Sequence, residues 1–183
     1  MTTAKGEKRR QALVDAAVGL LADGGFDAVR HRAVADRAGL PLASTTYYFQ
    51  SLEDLVTAAV AAQGRAELAR GRAALDASPD GSPVELVLDL LLGPDAAAAA
   101  VLGRYERLVA TARRPHLRPL MLELGAELRA LVGQTLARAG VATGPGTVER
   151  LIALVDGAVV NALIEVDPDP RSAARAMLRD ALG

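Results

Sequence analysis

Ala38-Gly39-Leu40-Pro41-Leu42-Ala43-Ser44-Thr45-Thr46-Tyr47-Tyr48-Phe49 is the stretch that decides the fold. The chain has three tyrosines and two phenylalanines, and three of these five aromatics stand together here. A short helical pattern precedes the stretch, Arg32 to Arg37, with Val34, Ala35 and Ala38 as its apolar positions. Gly39 follows directly, where a helix end favours a residue that tolerates a left-handed backbone. Pro41 cannot continue that helix but suits the start of another. Leu42 to Tyr48 is then about two turns of helix, carrying hydroxyls and aromatics. Helix, glycine turn, short polar-aromatic helix is the sequence form of a helix-turn-helix, whose second helix enters the major groove of DNA.

Upstream, Leu13, Ala16, Ala17, Leu20 and Leu21 fall on one helical stripe, and Gly24-Gly25 ends it. Phe26 is expected to plug the core of the small N-terminal domain. Downstream, Leu52, Leu55, Val56, Ala59 and Val60 repeat the stripe, with Ser51 and Asp54 as a capping box. That helix reads to about Leu75 and would connect a head to a body.

These residues carry a resemblance. Ala16-Ala17, Gly25-Phe26, Arg32-Ala33-Val34-Ala35, Ala38-Gly39-Leu40 and Tyr47-Tyr48-Phe49 occur in the order and spacing of the DNA-binding domain of the TetR/AcrR transcriptional regulators. The first sixty residues resemble that domain; the rest is similar only in length and helical layout. The chain departs from the family pattern at Val29, Pro41, Ala43, Thr46 and Leu52. The resemblance implies an all-α protein of about nine helices. Residues 1–50 would form a three-helix helix-turn-helix domain, and residues 51–183 a helical effector-binding and dimerisation domain.

Composition agrees. Hydrophobic residues make up 51 % but aromatics only 3 %, the mix of helices packed through small side chains. There is no cysteine, which excludes disulfides, and with two histidines no histidine-based metal site is expected. No apolar run reaches the roughly 18 residues of a membrane helix, and no signal peptide opens the chain, so a cytoplasmic protein is expected. The net charge of −1 hides an asymmetry. Lys5, Lys8, Arg9 and Arg10 crowd the N-terminus, whereas acidic residues outnumber basic ones beyond residue 50. A basic head suits a polyanion.

The body reads as five further helices. Val84–Leu92 follows the linker Ser78-Pro79-Asp80-Gly81-Ser82-Pro83. The next runs to about Arg113, capped by Asp95, with Val101, Tyr105, Leu108 and Ala112 on one side. Leu117–Ala139 carries Leu117, Leu120, Met121, Leu124, Leu128 and Leu131. Thr147–Val166 is apolar nearly all round, and a last helix opens at Asp169-Pro170. An all-apolar helix needs neighbours on every side, and a second copy of the chain is the simplest. Leu151, Val155, Val159, Leu163, Met177 and Leu178 are therefore the expected homodimer interface.

The expected DNA contacts are Ser44, Thr46 and Tyr47 on the open face of the recognition helix, with Tyr48 beside them. Leu42 and Ala43 can make only apolar contacts there, and Thr45 and Phe49 face the core. Lys8, Arg9 and Arg10, from the arm or first helix, and, through the resemblance, Arg32 would touch phosphate. His31 reads as a polar or capping side chain. The partners implied are a double-stranded DNA operator and a small apolar or aromatic effector, since family regulators bind small molecules in the body. Small residues such as Ala98, Ala112 and Gly125 leave room for one, and Tyr105, His116 and Asn161 are the polar candidates to orient it, Asn161 being equally suited to a bond across a dimer interface. No cofactor is implied. Glu123 and Glu127 share a solvated face, and no nucleophile–base, metal or phosphate-loop group is present, so catalysis is not expected. The competing reading is an all-helical enzyme or carrier whose head is only structural.

Overall fold

The computed structural model describes residues 4–78, 81–94 and 97–183. Among them every regular element is helical, so the all-α expectation holds. The chain divides into two compact units. One comprises Met1–Arg65 with Arg107–Met121, the other Ala66–Glu106 with Leu122–Gly183.

In the first unit, α1 (Ala4–Ala28) buries Leu13, Val14, Ala16, Ala17 and Leu21. Its regular backbone breaks at Gly24 and at Gly25, where φ is 65° and ψ −162°, a conformation open to glycine. α2 (His31–Ala38) buries Val34 and Ala35. It closes on Gly39 in the left-handed region (φ 64°), with the Leu40 N–H bonded to Ala35 O at 3.0 Å. α3 (Leu42–Tyr48) starts after Pro41, whose carbonyl accepts from the Ser44 N–H. α4 (Leu52–Ala77) opens with Ser51 Oγ accepting from the Asp54 N–H at 3.0 Å. Leu55, Val56 and Ala59 of α4 join Leu13, Val34, Phe49 and Leu117 in one core. The expected boundary after residue 50 thus falls inside this unit, because the first turns of α4 supply one wall of its core. Phe26 does not plug that core. It packs half-buried at its edge, where the Arg114 guanidinium covers the ring.

In the second unit, α5 (Pro83–Leu92) is buried along most of its length and stops at Gly93 (φ 87°). Gly71 of α4 leaves the space that the Leu90 methyl occupies. α6 (Ala98–Thr111) buries Val101 and Tyr105, but Leu108 and Ala112 are exposed, so the expected apolar stripe stops at Tyr105. The Asp95 cap and the Pro79-Asp80 part of the linker lie outside the described residues. The 3₁₀ turn (Pro115–Leu117) and the first residues of α7 (Arg118–Arg138), to Met121, belong to the first unit; α7 carries the expected stripe, with Leu120, Leu124 and Leu131 buried and Pro119 in its first turn. α8 (Thr147–Ile164) packs along α9 (Pro170–Leu182), which is capped by Asp169 Oδ1 accepting from the Ser172 N–H. α8 ends with the same hydrogen-bond pattern as α2, but Val166 (φ 58°) stands where α2 has glycine.

A charged cluster docks α9 onto α5. Arg171, buried, donates Nη2 to Asp89 Oδ1 at 2.6 Å and Nη1 to Gly93 O at 3.1 Å. Arg175 clasps Glu85 with Nε–Oε1 at 2.6 Å and Nη2–Oε2 at 3.2 Å. The Arg175 bond first, then the Arg171 bond, holds the Glu85 carboxyl below its ordinary value.

Candidate nucleic-acid interface and body site

α3 is too short to hold itself helical in water, so its neighbours must fix it. Thr45 is fully buried, and its Oγ1 donates to Leu42 O at 2.8 Å within the helix. Phe49, also buried, closes the helix with its N–H on Thr45 O. α2 is pinned in turn: Arg37 crosses Gly19 of α1 to pair with Asp23. A Cβ at Gly19 would come within 2.7 Å of Arg37 Nη2, so the glycine makes room for this bridge.

With that face anchored, the other is open. Leu42, Ala43, Thr46 and Tyr47 are exposed, Tyr47 at 80 %. Ser44 is half-buried. Tyr48 leans on the core and meets the Tyr47 ring edge-on at 4.8 Å. Thr46 Oγ1 returns to Ala43 O at 3.3 Å, which leaves its methyl and lone pairs outward. Lys8, Arg9 and Arg32 are exposed, and among the described residues none of them is held in an ion pair. Arg10 differs: it pairs with Glu7 at 3.8 Å and lies over Phe49 at 5.2 Å. His31 does not cap α2; its buried Nδ1 has no partner among the described residues.

In the body, the buried Tyr105 hydroxyl donates to Asp156 Oδ1 at 2.8 Å. Burial first, then the Asp156 carboxylate, pushes the phenol well above its ordinary value, so it stays a proton donor. The residue before it, Arg104, pairs with Glu67 at 2.7 Å. The other two expected effector residues are placed differently. His116 belongs to the first unit and faces Glu53 at 3.8 Å, and Asn161 is exposed on α8. Asp156 is the residue the sequence reading missed; its spacing from Tyr105 carries no signal.

The expected dimer residues need correction. Leu151, Val155, Val159 and Leu178 are buried in the protomer's own core, so they offer no surface to a second chain. Leu163 packs partly against that core, and Met177 is exposed. The large apolar side chains that α8 leaves open are Leu154, Val160 and Ile164.

Residues 78–183 match the tetracycline repressor-like C-terminal domain, and residues 13–59 match the domain described as bacterial regulatory proteins, tetR family. The chain belongs to the TetR family. Solved structures of the same fold include the multidrug binding protein EbrR complexed with ethidium, 36 % identical over 96 % of this chain and 99 % of that one, TM-score 0.72. EbrR complexed with proflavin is 35 % identical over 94 % and 99 %, TM-score 0.70. A TetR-family member from Streptomyces coelicolor A3 is 33 % identical over 96 % and 99 %, TM-score 0.66. A comparison with curated proteins gives no match. As a TetR-family member the chain is a DNA-binding transcriptional regulator and not an enzyme. Among the described residues of this regulator, no helix is long and apolar enough to cross a membrane, and no group of acidic and histidine side chains is set to hold a metal.

Proposed function

We propose that this chain is a cytoplasmic repressor that binds its operator as a homodimer and releases it when a small aromatic molecule occupies the body. The observation that carries the reading is the recognition helix. One face is locked by Thr45 and Phe49, and the other presents Leu42, Ala43, Thr46 and Tyr47 to solvent. Thr46 and Tyr47 supply hydroxyls for base edges, and Leu42, Ala43 and the Thr46 methyl suit the thymine methyl. Lys8, Arg9 and Arg32 supply the charge for phosphates.

The exposed Leu154, Val160, Ile164 and Met177 support a two-fold contact through α8 and α9. Such a dimer holds its two recognition helices about 34–36 Å apart, one DNA turn. EbrR complexed with ethidium and with proflavin supports an aromatic effector, and Tyr105 with Asp156 is a polar pair of the body suited to orient one. The test is a gel shift with DNA from the gene's own neighbourhood, at two salt concentrations, with and without proflavin. Retarded DNA, weakened by salt and released by proflavin, is the expected result. Retention at low salt alone on every sequence overturns the operator reading; specific binding that neither proflavin nor ethidium relieves overturns the effector class.

A further inference from the structure

We infer that Arg114 is a positioning residue for DNA binding: it clamps the corner between α1 and α2 and so fixes how α3 is presented. This rests on the DNA-binding reading above.

The corner is soft by its own chemistry. Gly24 and Gly25 give it a wide choice of backbone conformations. Besides the hydrogen bonds within α1, it is held by the Val29 N–H on Phe26 O at 3.2 Å and Arg30 Nε on Asp27 O at 3.3 Å. α2 begins at His31, so any movement of residues 24–30 is carried into α2 and, through the tight Gly39 turn, into α3.

Arg114 reaches the corner from outside it. Its guanidinium lies over the Phe26 ring at 3.8 Å from the centroid, and Nη2 stands 3.8 Å from Asp27 Oδ1. Nη1 donates to Ala110 O at 2.8 Å, which fixes the plane of the fork. Three residues on, Leu117 is fully buried in the head core and keeps the segment seated. One side of Phe26 thus packs on the core while a cation covers the ring, an attraction that strengthens as it is shielded from water. The clamp lies outside residues 13–59, the stretch matched to the tetR regulatory domain, and comes from a segment more than eighty residues downstream of the corner.

Two measurements test it on the full-length protein. The first is hydrogen exchange without DNA. Arg114→Ala should speed exchange of the amides between Phe26 and Arg30 and leave those of Leu13 to Leu21 protected. The second uses a duplex enriched from a random pool by the wild-type protein. Arg114→Ala should bind it about tenfold more weakly, the share of molecules held in the competent geometry having dropped, with an unchanged salt slope. Phe26→Leu should do the same, and the double variant should be no worse than either single one. Corner exchange and affinity within twofold of wild type overturn the clamp. So do additive effects, and so does a salt slope smaller by about one unit, which makes Arg114 itself a phosphate contact. If the wild type enriches no duplex, the operator reading fails, while the exchange measurement still decides the clamp.

Discussion

Arg171→Met should loosen the body without touching its apolar packing. The substitution keeps the unbranched stem and deletes the guanidinium. It removes the 2.6 Å bond to Asp89, the 3.1 Å bond to Gly93 O and the longer 3.3 Å contact to Glu85. A hydrogen bond to a charged group is worth about 1.5–3 kcal/mol and a neutral one about 0.5–1.5 kcal/mol. The Glu85 and Asp89 side chains are each 39 % exposed, so water replaces part of what is lost, and Glu85 keeps Arg175. The net loss is then about 2–3 kcal/mol. For a chain of this length each kcal/mol moves the thermal midpoint by about 2–4 °C, so a fall of about 4–12 °C is expected by circular dichroism at pH 7. The pH dependence carries a second signature. Glu85 titrates below its ordinary 4.5 in the folded chain, so its contribution is present above the unfolded value and lost as pH falls through the folded one. The advantage of wild type over Glu85→Gln should therefore hold at neutral pH and vanish on acidification below about 4.5. An unchanged or higher midpoint for Arg171→Met would refute the reasoning. It would mean that Ala174 and Leu178 dock α9 alone and that the buried charge is a net cost.

Tyr105→Phe should lower the midpoint by about 3–12 °C, since it deletes a hydrogen bond to the Asp156 carboxylate worth about 1.5–3 kcal/mol; an unchanged midpoint with weaker release by proflavin would assign the hydroxyl to the ligand instead. Ile164→Glu or Val160→Asp should yield folded monomers in sedimentation, whereas Val159→Asp, placing a charge in the core, should cost several kcal/mol and unfold the body; dimers in the first two variants would move the interface elsewhere. Arg32→Ala should weaken DNA binding about equally on all sequences and reduce the salt slope by about one unit, and a changed sequence preference would contradict its phosphate role. Val166→Gly should raise the midpoint by about 1–4 °C through about 0.5–1 kcal/mol of relieved strain, because a β-branched residue in the left-handed region is costly; a lower midpoint would show that the exposed valine packs on a neighbour.

The head was legible because its signals are local. Gly39 marks a turn by its own backbone freedom, and Thr45 and Phe49 are four residues apart on one helical face, so spacing alone places both inside. Arg171 was not legible. Its partners Glu85 and Asp89 lie more than eighty residues away, and nothing around an arginine in a last helix distinguishes a buried cation from a solvated one. Asp156 was missed for the same reason: only the fold brings it to Tyr105. Arg114 reads as one of two arginines before a proline until the fold sets it over Phe26.

α8 shows how an apolar pattern misleads about partners. Its most apolar residues, Leu151, Val155 and Val159, looked like the surface a second copy would cover. A chain of 183 residues spends such a face on itself first, because burial against its own helices is intramolecular and needs no loss of translational freedom. All three are accordingly in the protomer's core. What remains for a partner is the second-best face: Leu154, Val160 and Ile164, interrupted by Gly157 and Asn161. That mixture suits an interface better than the core stripe does. The glycine lets two helix backbones approach closely, and the asparagine at a buried contact fixes register at some cost in stability. On this reasoning Asn161 serves the two-fold contact and not a ligand. Asn161→Leu should then tighten self-association in sedimentation and loosen its specificity of pairing, leaving proflavin binding as it was.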